Sequence, residues 1–92
     1  MANPPYLHGT VTVTASATLI CSPLSSPVGV LVQNNGANTV YLGGPTVTGS
    51  GTTQGVSVAA GASVTVPTAG DAVHDLYAIS PSGSTVAYLF PA

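Results

Sequence analysis

Residues 28–44 read VGVLVQNNGANTVYLGG, two apolar runs divided by an asparagine- and glycine-rich segment, without one charged side chain. Val30 and Val32 alternate with Leu31 and Gln33, and Val40 and Leu42 alternate with Tyr41 and Gly43. A two-residue period is the mark of strands with one buried face, because successive side chains point to opposite sides of a pleated sheet. Asn and Gly accept positive φ more readily than other residues, so NNGAN at 34–38 predicts the turn of a hairpin joining the two runs.

The same period extends along the chain. In TVTVTASATLIC, residues 10–21, Val11, Val13, Ala15, Ala17, Leu19 and Cys21 fall on one side and Thr10, Thr12, Thr14, Ser16 and Thr18 on the other, which predicts one long, bent strand. Val56, Val58, Val64 and Val66 keep the period on either side of Ala60-Gly61-Ala62, predicting a second hairpin. Residues 76–80 and 85–90 flank PSGS and predict a closing hairpin, whereas TVTGSGTTQG at 46–55 reads as a polar connection. About seven strands and no helix result. The fold class is all-β: a single small antiparallel β-sandwich or barrel, jelly-roll-like, spanning residues 9–92. Residues 1–8, MANPPYLH, form an extended N-terminal arm in this reading, since the Pro-Pro pair cannot join a regular ladder. The expected core is Val30, Val32, Val40, Leu42, Val64, Val66, Leu76 and Val86.

Composition narrows the function. Thirteen valines, twelve threonines and ten serines in 92 residues suit strands with one oily and one wettable face. Only 2% of residues are charged, with no lysine or arginine and only Asp71 and Asp75 acidic. Ordinary globular chains carry about 25% charged residues. Binding nucleic acid through its phosphates requires cations, which this chain lacks, so DNA and RNA are set aside as partners. No basic leader with an apolar core, and no run of roughly 20 apolar residues, points to secretion or to a membrane. The lone Cys21 excludes an internal disulfide and reads as a small buried apolar residue. A domain of this size with so little charge is expected to gain stability by oligomerising. With no lysine to protect its sheet edges, at least one edge is expected to be covered by a partner chain or an arm.

Candidate chemistry is sparse. Asp71, His74 and Asp75 are the one cluster of ionisable groups, and a polar turn before a strand accounts for them without a metal or a general base. No Gly-x-Ser-x-Gly elbow is present, and GSGTTQG at 49–55 lacks the lysine of a phosphate loop. The sequence therefore points to a protein that is not an enzyme and carries no cofactor or metal. An ice-binding face is disfavoured because Thr-x-Thr does not recur at a solenoid period. Sugar stacking on Tyr6, Tyr41, Tyr77 and Tyr88 lacks the usual tryptophan, and packing in strands and interfaces is the preferred use of these rings.

Taken together, QNNGANTVYLGG (33–44), TQGVSVAAGASVTVP (53–67) and DLYAISPSGSTVAYLF (75–90) resemble small β-structured virion proteins of tailed bacteriophages, especially those of actinobacterial hosts. Their pattern is N-x-G-x-x-x-V-Y-L-G, then G-V-x-V/L-x-x-G-x-S/T-V-T, then L-Y-A-I/V-S and V-x-Y-L. The resemblance covers residues 33–90. It implies a structural virion protein, either a capsid decoration protein that binds the major capsid protein at the capsid surface, with a homotrimer as the first expectation, or a β-domain of a tail or fibre. A module binding a host surface or carbohydrate is the further alternative. Decoration is preferred because the chain reads as one complete short unit with no coiled coil or second domain. Expected interface residues are Pro4, Pro5, Tyr6, Leu7 and His8 of the arm, with Tyr41, Tyr88 and Phe90.

Overall fold

The computed structural model describes residues 5–22, 29–67 and 75–91. Among the described residues eight strands run in chain order: β1 (Tyr6–Val13), β2 (Thr18–Cys21), β3 (Val30–Asn34), β4 (Val40–Gly43), β5 (Val56–Val58), β6 (Ser63–Val66), β7 (Leu76–Ile79) and β8 (Ser84–Pro91). A 3₁₀ turn, Gly51–Thr53, interrupts the long connection between β4 and β5. The strands form two four-stranded antiparallel sheets, ordered β1-β8-β3-β6 and β2-β7-β4-β5.

These orders have a simple origin. The chain doubles back at the β4–β5 connection, so that β4 pairs with β5, β3 with β6, β2 with β7 and β1 with β8. Winding that long ribbon brings β8 against β3 and β7 against β4, which closes each sheet. This is the jelly roll, a double-sheet solution to packing eight antiparallel strands. The first sheet (β1-β8-β3-β6) is called sheet A below and the second sheet B.

Three expected hairpins are corrected by this topology. β3 and β4 belong to different sheets, as do β5 and β6, and β7 and β8. NNGAN is therefore an arch from sheet A to sheet B, and its asparagines do not turn the chain by positive φ, a conformation that only Gly29, Gly51, Gly61 and Gly83 adopt among the described residues. They act through their amides. Asn34, fully buried, donates from Nδ2 to the carbonyls of Asn38 (2.8 Å) and Val58 (2.9 Å), while its Oδ1 accepts from the Ser84 hydroxyl (2.7 Å) and the Gly36 N–H (3.1 Å). Both donors and both acceptor positions of the amide are used. Asn38 Nδ2 donates to the Gly83 carbonyl at 2.7 Å, and the buried Ser80 hydroxyl donates to the Thr39 carbonyl at 2.9 Å, knitting this arch to the β7–β8 arch. Gly36 has no substitute here, because a Cβ would run into the Ser84 hydroxyl and the Thr85 backbone.

The predicted long strand is likewise two strands in two sheets, divided by bends at Ala15 and Ser16, which raises the count from seven to eight. A register shift between Leu19 and Cys21 breaks the alternation there, so Ile20 and Cys21 are buried while Leu19 is exposed. The expected arm is corrected too. Tyr6, Leu7 and His8 are the first three residues of β1, opposite Pro91, Phe90 and Leu89. Proline removes only its own N–H and restrains the residue before it, so nothing prevents pairing from Tyr6 onward. Residues 1–4 lie outside the described residues.

The core lies between the sheets. Val30, Val32, Val40, Leu42, Leu76 and Val86 are buried as expected, joined by Val13, Ile20, Cys21, Val58, Ala78 and Phe90. Val64 and Val66 pack against this cluster but stay half-buried, because they line an apolar cavity of about 480 Å³ that Val30, Leu42, Val56 and Leu76 also line.

Candidate assembly surfaces

The register of sheet A determines what its outer face presents. Val13, Val86 and Val32 point inward, so Tyr6, His8, Thr10 and Thr12 of β1, Leu31 and Gln33 of β3, and Thr85, Ala87 and Leu89 of β8 point out. Leu31 is directly opposite Leu89, and His8 is opposite Leu89 on the other side, giving an unbroken His8–Leu89–Leu31–Thr65 row across all four strands. Leu31 is 39% exposed, Leu89 38% and Tyr6 66%. No carboxylate, lysine or arginine side chain occurs on these strands, so the face combines apolar and hydroxyl groups with one amide, Gln33, and one imidazole, His8.

Sheet B is different. Tyr41 and Tyr77 point outward from neighbouring strands and are half-buried, Tyr41 beside Ile79 and Tyr77 beside Gly43. The β4–β5 connection folds back over this face: Val47 is buried against Gly43 and Gly55, and Gly49 lies against Pro81 and the Tyr41 ring. Sheet B is thus partly covered by its own chain.

The expected interface residues do not form one surface. Tyr6 and His8 lie on the outer face of sheet A, and Pro5 is exposed just before it. Tyr41 is on the opposite side of the molecule. Tyr88 and Phe90 point into the sandwich, their rings stacked with centroids 5.9 Å apart, and Phe90 is only 7% exposed. Phe90 is a core residue, a correction to its expected place at an interface, because its position in β8 shares the inward parity of Val86. Gly9 opens the space for the Tyr88 phenol, which a Cβ at that position would strike. Pro4 lies outside the described residues, as do Asp71 and His74, while Asp75 is exposed just before β7 and lines the cavity. Among the described residues no three His, Cys, Asp or Glu side chains come together to hold a metal ion. Burial pushes the Cys21 thiol up to about 11, which keeps it protonated at neutral pH.

Leu31 and Leu89 were not among the expected interface residues. Their signal was present: each is an apolar residue at an outward position between two inward ones, where Thr, Ser or Gln would ordinarily stand. Comparison with protein families, curated proteins and solved structures finds no match for this chain.

Proposed function

We propose that this chain is a structural subunit of a virus particle, a decoration protein that binds the major capsid protein on the head shell of a tailed bacteriophage and works as a homo-oligomer. The observation that carries the reading is the outer face of sheet A, where Leu31, Leu89 and Tyr6 stand exposed on a surface without a charged carboxylate, lysine or arginine. Contiguous exposed apolar surface marks an interaction site, and a protein shell is the partner that the sequence resemblance names. A jelly roll agrees with this but does not assign it, since lectin domains and cupins share the architecture.

On the shell itself, that resemblance implies three subunits at each site. Quantitative mass spectrometry of separated heads and tails tests the reading. Hundreds of copies confined to heads are expected. A handful in the tail fraction would make the chain a tail or fibre domain, and absence from particles would shift the reading to a module that binds a host surface or a sugar.

A further inference from the structure

Three of the four sheet edges are short or broken. β5 has three residues, β6 has four, and β2 has four with a register shift between Leu19 and Cys21. Shortness and bulges are the ordinary means of preventing edge-to-edge pairing. β1 has neither: it is eight residues long, pairs with β8 in unbroken register from Tyr6 to Val13, and contains no proline, lysine or acid.

The hydrogen-bond phase shows which backbone groups face outward. The Asn35 N–H donates to the Thr85 carbonyl at 2.8 Å, one step beyond the Asn34–Val86 pair, and on the other flank of β3 the Asn34 N–H donates to the Ala62 carbonyl at 2.9 Å. Because bonding alternates along an antiparallel strand, β8 turns the backbone groups of Thr85, Ala87 and Leu89 toward β3 and those of Ser84, Val86, Tyr88 and Phe90 toward β1. Their partners on β1 are Val13, Val11, Gly9 and Leu7. The N–H and C=O groups of Tyr6, His8, Thr10 and Thr12 therefore face the other edge, which is open among the described residues.

We infer that this edge pairs with β1 of a second copy of the chain, antiparallel about a two-fold axis at Gly9, to make one continuous eight-stranded sheet. One register engages all four open residues of each copy: Tyr6 opposite Thr12 and His8 opposite Thr10, four pairs that each exchange two hydrogen bonds. The symmetry is isologous, so one strand is complementary to itself. Between these pairs, Leu7 of one copy meets Val11 of the other on the inner face, covering a Leu7 that is 46% exposed in the single chain. Gly9 faces Gly9 at the axis, in the pair type where Cα atoms approach to about 4.5 Å. No like charges oppose the approach. The inference does not depend on the particle reading, since it concerns the chain by itself.

The test is sedimentation equilibrium of the full chain, with proline as the probe. Thr10→Pro and His8→Pro each remove an N–H that faces the open edge and none that bonds β8, so both are expected to give folded monomers where the wild type is a dimer. Val11→Pro removes an N–H bonded to β8 and is expected to unfold the sandwich. Amide exchange on the wild type provides a readout that needs no variant. At a total chain concentration of about 100 times the dissociation constant roughly one chain in 15 remains monomeric, so the amides of Tyr6, His8, Thr10 and Thr12 should exchange about 15-fold more slowly than in dilute monomer. A wild-type monomer, an oligomer that persists in Thr10→Pro, or these four amides left unprotected in the oligomer would each overturn the pairing. A monomer whose β1 amides become protected only on purified head shells would assign the edge to the capsid protein and overturn it equally.

Discussion

The side-chain amide of Asn34 donates to the carbonyl of Val58 across 2.9 Å, joining the end of β3 in sheet A to the end of β5 in sheet B. The same side chain accepts from Ser84, so truncating it leaves several buried groups without partners at once. Each unpaired buried group costs about 1–3 kcal/mol. Asn34→Leu should therefore lose about 3 kcal/mol in urea unfolding, after water reaches the partners nearest the surface. Asn34→Asp should lose at least as much at neutral pH, because a carboxylate would face the Val58 and Asn38 carbonyls that the amide satisfied. Asn35→Ala, at an exposed position, should stay within about 0.5 kcal/mol of wild type. An Asn34→Leu protein as stable as Asn35→Ala would refute the role given to this amide.

Phe90 and Tyr41 separate core from surface among the residues expected at an interface. Phe90→Ala empties a site stacked on Tyr88 and should cost about 3–5 kcal/mol in the isolated subunit. Tyr41→Ala, half-exposed on sheet B, should cost about 1.5 kcal/mol or less. Thermal unfolding of the two variants distinguishes them. A Phe90→Ala subunit of unchanged stability that fails to assemble would return Phe90 to an interface.

Period-two alternation was legible because it is a property of each strand alone: Val30, Val32, Val40 and Leu42 are buried where the pattern put them. What alternation does not encode is the neighbour of a strand. Val28–Gly29–Val30 and Thr39–Val40 around NNGAN look the same whether β3 and β4 pair or face each other across a core. Here they face, because β8 and β6 flank β3 while β7 and β5 flank β4. The site was legible in the same partial way. The charge-free surface could be read directly, whereas the outward row of Leu31 and Leu89 depends on the register between strands distant in sequence.

That topology sets a folding rate. β1 must find β8 at the far end of the chain, and among the described strands only β4 and β5 are paired neighbours in sequence. Loop closure precedes the gain from such contacts, so folding should take milliseconds to seconds, as in other sandwiches. Stopped-flow refolding at a concentration where the chain is monomeric measures it. Complete refolding within about 100 μs would contradict a transition state that depends on these distant pairs.

Cys21 ties stability to alkaline pH. Its thiol is raised from the ordinary 9.0 to about 11 by desolvation, so above pH 9 the unfolded chain loses this proton before the folded one does. The folded state keeps its full advantage below pH 9 and loses it progressively as pH climbs toward 11. Urea midpoints measured across this range should fall faster for the wild type than for Cys21→Ala, the difference isolating the thiol from the tyrosines. The folded protein should also resist a thiol reagent at pH 8. Parallel pH profiles for the two proteins would show that the thiol ionises without an added cost in the fold.

The proposed binding to a head shell should depend weakly on salt. Added salt screens exposed charges beyond roughly 8 Å at physiological ionic strength, but has little to screen on a face built from Leu31, Leu89, Tyr6, Thr10 and Thr12. The chain has no lysine or arginine elsewhere to steer association, and apolar burial persists as ionic strength rises. Affinity for purified head shells should therefore change by less than about threefold between 50 and 500 mM sodium chloride, whereas Leu31→Lys should weaken it at every salt concentration by placing a charge in the contact. A steep fall in wild-type affinity over that range would require an electrostatic contact that sheet A does not provide.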